Sequence, residues 1–189
     1  MDNKFEILSN KKYLQGYLSF FALYIGLYEN FIESTIKRVE SFLCMDCSID
    51  NMGNVKYEQN EIYRNSIKNR IVDDKGNKDI LKATMLWFVD MGAINQVDYD
   101  AFLQLKILRN SYVHELVNRL WDGINRDDIA SLGRLLELCI KIDKWWINEI
   151  DIPSSGDVIL DNDEKEQVSS LALLIFKKMM VTFYGENPV

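Results

Sequence analysis

A helical repeat of apolar residues between Lys11 and Leu43 constrains the fold of this chain more than any other feature. Apolar side chains recur there at steps of three and four residues, which is the spacing of one face of an α-helix. The chain has only two prolines, Pro153 and Pro188, so none interrupts the run. The apolar arc covers more than half of the circumference, which predicts a helix that lies centrally in a bundle or also contacts a partner chain. The residues that recur at these steps include Tyr13, Tyr17, Phe20, Phe21, Tyr24, Leu27, Tyr28, Phe31, Val39 and Phe42.

The remaining chain shows further helical patterns separated by polar turns, and no convincing strand. Residues 48–56 are polar and contain Gly53, which predicts a loop. The 189 residues are enough to bury a core as one domain. We therefore predict an all-α fold, a bundle of about five to six helices in a single domain over 1–189. The helices are predicted over 11–43, 58–72, 78–91, 98–121, 127–150 and 165–184.

The helix ends are predicted from capping residues and breakers. Asn77, Asp98, and either Asp127 or Asp128 are the expected N-caps, because a short polar side chain can accept a backbone N–H there. Gly76 and Gly92 suit the left-handed position after a helix. The segment Pro-Ser-Ser-Gly at 153–156 and the acidic residues after it predict a linker over 151–164, which leads to a C-terminal helix.

The net charge of −7 argues against tight, nonspecific nucleic-acid binding, which usually requires a basic surface. One segment, from Arg64 to Lys82, is locally basic. Lys68 and Arg70 within it are candidates for guiding an RNA backbone, and the alternative is an ordinary solvated face. A small local phosphate site is compatible with the overall acidity.

Cysteine usage and hydropathy favour a cytoplasmic protein with no membrane segment. Cys44 and Cys47 form a C-x2-C pair and Cys139 stands apart, so the four ligands of a structural zinc site are not supplied. An odd number of cysteines is more typical of a reducing compartment. The uncharged stretch from Tyr13 to Tyr28 is shorter than the roughly 20 residues of a spanning helix.

Arg109 and His114, the only histidine, lie five residues apart on the helix predicted over 98–121. Histidine titrates near neutral pH, and arginine is well shaped to hold a phosphate. On a helical wheel Arg109 falls in the middle of the apolar side, where an arginine needs a partner. It either forms a structural ion pair, with Glu29 or Glu33 of the first helix, or faces a cleft that receives an anion. The apolar side consists of Phe102, Leu105, Tyr112, Val113, Leu116 and Leu120.

His114 falls about 140° from Arg109, at the edge of the apolar side. It is either a hydrogen-bonded packing residue or an acid/base catalyst. Residues at i and i+5 diverge on a helix, so one helix does not easily present both side chains to one phosphate. Two copies related by a two-fold axis could share the task, which predicts a homodimer.

The sequence Arg109-Asn110-x3-His114 resembles the R-x4-6-H motif of the HEPN superfamily, which consists of all-helical domains. The resemblance implies a metal-independent endoribonuclease that needs no cofactor and has its site at a dimer interface. In that role His114 would be the general acid or base, Arg109 would hold the scissile phosphate, and Asn110 would bind the phosphate or orient His114. HEPN toxins often carry a tyrosine two residues after the histidine, where this chain has Leu116.

The resemblance further implies a toxin or phage-defence effector, which an antitoxin or another regulatory protein would restrain. Glu29 is then a secondary candidate for the substrate-binding cleft, beside Arg109. Two alternatives stay open. The chain is a non-catalytic helical interaction module in which Arg109 and His114 are structural, or it is an antitoxin or immunity partner whose acidic surface covers a basic protein.

Overall fold

The computed structural model describes residues 2–44, 47–57, 59–156 and 161–184. The fold is all-α, as predicted, and among these residues the only sheet is a two-stranded hairpin. None of the helices in this part of the chain has the length and apolar character needed to cross a membrane. The helices are α1 (Asp2–Ser9), α2 (Lys11–Leu43), α3 (Glu61–Tyr63), α4 (Ile80–Asp90), α5 (Gln96–His114), α6 (Leu116–Asp122), α7 (Arg126–Trp146), α8 (Ile152–Ser155), α9 (Asn162–Gln167) and α10 (Leu171–Tyr184).

The segment predicted as a loop over 48–56 is a β-hairpin. Strands β1 (Cys47–Ile49) and β2 (Val55–Tyr57) pair antiparallel, with Ile49 opposite Val55. The strands are only three residues long, too short for a recognisable alternation. The helix predicted over 58–72 is also shorter than expected. A π-helical turn over 64–68 extends α3 only as far as Lys68, and Glu58 lies outside the described residues.

Two turns with the same sequence pattern, Asp-x-x-Gly-Asn, have the same hydrogen bonds. In the turn that begins at Asp73, one carboxylate oxygen accepts the backbone N–H groups of Lys75 (2.9 Å) and Asn77 (2.8 Å), and the other accepts the Asn77 side-chain amide (2.9 Å). Asp50 makes the equivalent three bonds in the hairpin between β1 and β2. Gly76 has φ 82°, so it serves this turn and not a helix end.

The capping predictions are partly wrong. Asn77 belongs to the turn just described, and Asp79 caps α4 by accepting the Lys82 N–H at 2.9 Å. The helices α5 and α7 each begin with an asparagine N-cap. That asparagine exchanges hydrogen bonds with an aspartate three residues later, which is Asp98 in α5 and Asp128 in α7. These aspartates occupy the third helical position of a capping box. Gly92 follows α4 with φ 74°, as predicted.

The shared turn yields a pH-dependent prediction. Hydrogen bonds from Asn77 lower the pKa of Asp73 below its ordinary value of 3.8. The Asp73 carboxylate therefore stabilises the fold above pH 3.8, and this contribution is lost as the pH falls through the lower folded-state pKa. Replacing Asp73 with asparagine should lower the free energy of unfolding at about pH 6, and the difference from wild type should shrink towards about pH 3.

Urea unfolding at a series of pH values measures this difference. Asp74→Asn is the matched control, because it removes the same charge from a carboxylate for which the structure shows no hydrogen bond within the described residues. A difference between wild type and Asp73→Asn that stays constant with pH would contradict the argument.

The chain groups into two compact units, of which the first comprises Met1–Glu29 and Asp100–Val189. In this unit the N-terminal part of α2 packs on α5. The Tyr24 hydroxyl donates to the Leu105 carbonyl at 3.2 Å, and the Tyr28 ring stacks on Phe102 with a centroid distance of 6.3 Å. The buried α2 side chains of this unit lie on one face that covers less than half of the circumference, at about 100° per residue, so the helix that is central or also contacts a partner chain stays a prediction. These buried side chains are Phe20, Phe21, Leu23, Tyr24, Leu27 and Tyr28.

The C-terminal part of the chain packs into the first unit and differs from the predicted linker. Helix continues from α7 through a π-helical turn (Ile147–Asp151) into α8, and it ends at Gly156 with φ 72°. Residues 157–160 of the linker predicted over 151–164 lie outside the described residues, and α9 begins at Asn162. The Ser170 N–H before α10 donates to the Asp143 carboxylate at 2.6 Å.

The second unit comprises Asn30–Tyr99. The Phe42 ring of α2 lies 6.0 Å from the Trp87 ring of α4. Asn60 caps α3 with its side-chain oxygen and donates its amide to the Leu43 carbonyl at 2.6 Å, so it ties the end of α2 to α3. The fully buried side chains of this unit include Val39, Ile67, Met85 and Phe88.

Candidate functional site

The helix predicted over 98–121 is broken immediately after the histidine. His114 is the last residue of α5, and the Glu115 backbone leaves helical geometry with φ −121° and ψ 28° before α6 begins. The His114 side chain is exposed, and it makes no hydrogen bond or ion pair with any described residue. The interpretation of His114 as a hydrogen-bonded packing residue is therefore wrong. Its imidazole is accessible to a ligand.

Arg109 forms an ion pair, which was one of the two alternatives for an arginine on the apolar side. Its Nε donates to Glu29 Oε1 at 2.6 Å, and Nη2 also contacts this oxygen. The guanidinium lies over the Tyr28 ring, 6.0 Å from the centroid. Glu33, the other predicted partner, instead pairs with Lys37 one turn along α2. Of the two carboxylates considered, the structure selects Glu29.

The pair between Arg109 and Glu29 is partly exposed. The Arg109 side chain is 24% accessible and that of Glu29 is 49% accessible. A pair with this exposure contributes roughly 0–1 kcal/mol, because water screens it, and so it does not explain why the arginine is there. A loss of several kcal/mol, as for a fully buried pair, is not expected on its removal.

Arg109 is also connected to Asn110. Its Nη1 donates to Asn110 Oδ1 at 3.1 Å. A guanidinium has five N–H donors, and Glu29 and Asn110 engage three of them, so two remain for a further acceptor. Asn110 and His114 are four residues apart on α5, so they occupy one face, one turn from each other. Arg109 and Asn110 are thus in contact, and His114 lies one turn further along α5 on the face of Asn110.

The two basic residues proposed for RNA guidance lie in the second unit and are engaged there. Lys68 donates to the Gln59 side chain. Arg70 forms an ion pair with Asp90, at 2.6 Å. The candidate residues of the first unit are Glu29, Arg109, Asn110 and His114, and the structure brings the first three into direct contact.

Sequence reasoning missed a buried polar cluster next to the motif. The Tyr112 hydroxyl donates to Asp128 Oδ1 at 2.7 Å, and Arg119 Nη2 lies 3.5 Å from the same oxygen. Arg119 also donates to Ser111 Oγ at 3.0 Å and stacks on the Tyr112 ring at 4.9 Å. Burial and the Asp128 hydrogen bond raise the pKa of Tyr112, which therefore remains a protonated donor.

This cluster connects the helices on both sides of the break. Ser111 belongs to α5, Arg119 to α6, and Asp128 to the first turn of α7. The hydrogen bond between Arg119 and Ser111 spans Glu115, so it fixes the direction of α6 relative to the end of α5. The sequence signal was the Asn125-x-x-Asp128 capping pattern. It identifies Asp128 as a helix-start residue but not as the partner of Tyr112.

An open groove of about 470 Å³ runs along α5, α6 and α7. Sequence analysis did not anticipate it, because it depends on how three helices meet. Its polar lining residues are Gln104, Ser111, Glu115, Asn118, Arg119, Asp122, Ser131 and Arg134, and its apolar ones are Ala101, Leu105, Ile107 and Leu108.

The cysteines form no metal centre with other described residues, because no group of three or more His, Cys, Asp or Glu side chains there could hold an ion. Cys44 is buried and Cys47 is exposed. Desolvation raises the pKa of the Cys44 thiol, so this residue is a weak nucleophile at neutral pH. Cys139 is buried as well, and desolvation raises the pKa of its thiol too.

Comparison of this chain with protein-family models, with curated proteins and with solved structures found no match. The geometry of Arg109, Asn110 and His114, with the surfaces around them, is therefore the basis for a functional hypothesis.

Proposed function

We propose that this protein is a metal-independent endoribonuclease of HEPN type that acts as a homodimer. The observation that carries the proposal is the exposed His114 at the end of α5, one turn from Asn110, which in turn contacts Arg109. An accessible acid/base group and a partly free guanidinium are the two groups that phosphodiester transesterification requires, and a two-fold dimer would bring the His114 and Arg109 of different copies to one phosphate.

The reaction would begin with attack of a ribose 2′-oxygen on the adjacent phosphorus. The bond from phosphorus to the 5′-oxygen breaks, which leaves a 2′,3′-cyclic phosphate and a free 5′-hydroxyl. His114 would remove the 2′-hydroxyl proton or donate a proton to the leaving 5′-oxygen. The two remaining N–H donors of Arg109 would bind the non-bridging oxygens, where negative charge increases in the transition state.

A two-fold dimer would supply a second histidine, so that one could act as the base and the other as the acid. The surface around His114 supports such an interface, because apolar side chains are exposed there. Contiguous exposed apolar residues next to a polar site are typical of protein contact surfaces. Those next to His114 in α5 and α6 are Val113, Leu116 and Val117.

The biological role that accompanies this proposal is a cytoplasmic toxin or phage-defence effector restrained by an antitoxin or another regulatory protein. The acidic net charge fits an enzyme that must release its RNA product. Arg109 is paired with Glu29 and contacts Asn110, so a phosphate would bind to a guanidinium that is already oriented.

Cleavage of end-labelled single-stranded RNA in the presence of EDTA tests the proposal. Wild-type protein should cut the RNA and leave 2′,3′-cyclic phosphate ends. These ends resist alkaline phosphatase until acid opens the ring. Cleavage that requires an added divalent ion, or that leaves a 5′-phosphate, would contradict the proposed chemistry. Mass measurement in solution should give a dimer, and a monomer at the working concentration would contradict the shared site.

One alternative function has an observation in its favour. The ion pair of Arg109 with Glu29 and the exposed apolar surface beside His114 also fit a non-catalytic interaction module. In that case the purified protein cleaves no RNA, and replacement of Val117 with aspartate weakens binding to a protein partner. Metal-independent cleavage that depends on His114 excludes this alternative.

A further inference from the structure

The open groove along α5, α6 and α7 has the size of a ligand site. Its volume of about 470 Å³ lies within the usual range for small-molecule pockets. Apolar side chains of α5 form one part of its wall, and two arginines, two side-chain amides and two serines supply hydrogen-bonding groups. Aliphatic side chains can pack against the apolar face of a nucleobase, and an arginine can hold the phosphate joined to it.

Arg134 is the groove cation that is available to a ligand. Its side chain is exposed, and it makes no ion pair or hydrogen bond with any residue in the described ranges. Arg119, in contrast, is held by Ser111, Asp128 and the Tyr112 ring, and it is only 21% accessible. The two arginines therefore differ in role. Arg119 forms a rigid part of the wall, and Arg134 can move to meet an anion.

The groove reaches the face of α5 that carries His114. Glu115, which directly follows His114, lines the groove. Ile107, two helical turns before His114 and close to the same face, also lines it. A polymer bound in the groove could therefore extend to the His114 imidazole. A small ligand confined to the groove would not reach it.

The groove is lined by two carboxylates as well as by two arginines, so its formal charge is balanced and the position of Arg134 decides where an anion can bind. Asp122 is 3.7 Å from Lys4, so its charge is partly compensated. Glu115, which follows His114 in the chain, lines the groove, and its oxygens can accept N–H bonds from the amino group of a base. The net charge of the protein is −7, which disfavours binding of a polyanion except where an unpaired arginine contacts it.

We propose that this groove binds the single-stranded RNA segment next to the scissile phosphate, with Arg134 on a backbone phosphate and the apolar α5 residues against a base. The identity of the ligand rests on the proposed ribonuclease function. The groove itself is a separate observation, so binding and cleavage can be tested independently.

The experiment measures RNA binding in a protein that cannot cleave. Fluorescence anisotropy of a labelled 12-nucleotide RNA is recorded with His114→Ala alone, with His114→Ala and Arg134→Gln, and with His114→Ala and Arg126→Gln. Arg126 is an exposed arginine of the same helix that lies outside the groove, so its replacement changes the charge equally. We expect Arg134→Gln to raise Kd about tenfold and to lower the salt slope by about 0.7, as for one lost phosphate contact.

Arg126→Gln should change Kd by less than about twofold, because an exposed charge away from the ligand acts only at long range. Equal effects of the two substitutions, or no RNA binding by His114→Ala, would overturn the groove proposal. Arg134-dependent binding in a protein whose wild type cleaves nothing would keep the groove and reject the nuclease. If Arg134→Gln cleaves RNA as fast as wild type, and the two double variants bind RNA equally, the nuclease proposal stands and the groove proposal is contradicted.

Discussion

Replacing His114 with alanine is expected to lower the rate of RNA cleavage by at least about a hundredfold, because a positioned acid/base group contributes roughly 10²–10⁴. The free energy of unfolding should change by less than about 0.5 kcal/mol, since the side chain is exposed and makes no hydrogen bond with the described residues. A large loss of cleavage with little change in stability would show that His114 acts in catalysis and not in folding. Single-turnover cleavage assays and urea unfolding of the same preparation measure the two quantities.

Two controls sharpen this experiment. Added imidazole can reach the exposed position of residue 114, so it should partly restore cleavage by His114→Ala. Arg109→Ala should also reduce cleavage while costing only about 0–1 kcal/mol of stability, because its pair with Glu29 is screened by water. Equal cleavage by wild type and His114→Ala would identify a contaminating nuclease and remove His114 from the mechanism.

Replacing Asp128 with alanine is expected to destabilise the protein by about 3–5 kcal/mol, the largest effect on stability that we predict. The substitution removes three interactions at once. The Tyr112 hydroxyl loses its buried acceptor, Arg119 loses a carboxylate, and the Asn125 N–H loses the oxygen that completes the capping box at 3.0 Å. A buried donor without an acceptor costs its full desolvation energy.

Asp127→Ala is the matched control for Asp128→Ala. Asp127 is the neighbouring acidic residue in the first turn of α7, but it is exposed, so its loss should cost only the helix-dipole term of about 0.3–1 kcal/mol. Tyr112→Phe, which removes only the hydroxyl, should lie between the two. Similar unfolding free energies for Asp127→Ala and Asp128→Ala would show that the buried cluster does not stabilise the break after His114.

The extent of the longest helix, α2, was predictable from the sequence. The predicted helix over 11–43 agrees with α2 at both ends, because a long proline-free repeat of apolar residues specifies helix without help from distant contacts. The pairing of Arg109 with a carboxylate of α2 was also predictable, since an arginine on an apolar face needs a partner and Glu29 interrupts an apolar run. Glu33 instead forms an ion pair with Lys37, which lies four residues later on the same helix.

The errors have specific physical causes. The turns at Asp50 and Asp73 are built from side-chain hydrogen bonds to the backbone, which apolar periodicity does not detect. The break at Glu115 was missed because nothing in the sequence from Val113 to Leu116 stops a helix. The hydrogen bond of Arg119 to Ser111 and the contact of Tyr112 with Asp128 hold the chain there, and the second joins residues 16 positions apart.

The sequence by itself determined the all-α class, the length of α2 and the order of polar groups along α5, because these depend on residues three or four positions apart. The tertiary structure alone decided that His114 is exposed at a helix end, that Arg109 keeps two N–H donors beside Glu29 and Asn110, and that Arg134 faces a groove. Exposure and grooves are properties of surfaces where separate helices meet. They arise from packing between distant segments, which no local pattern records.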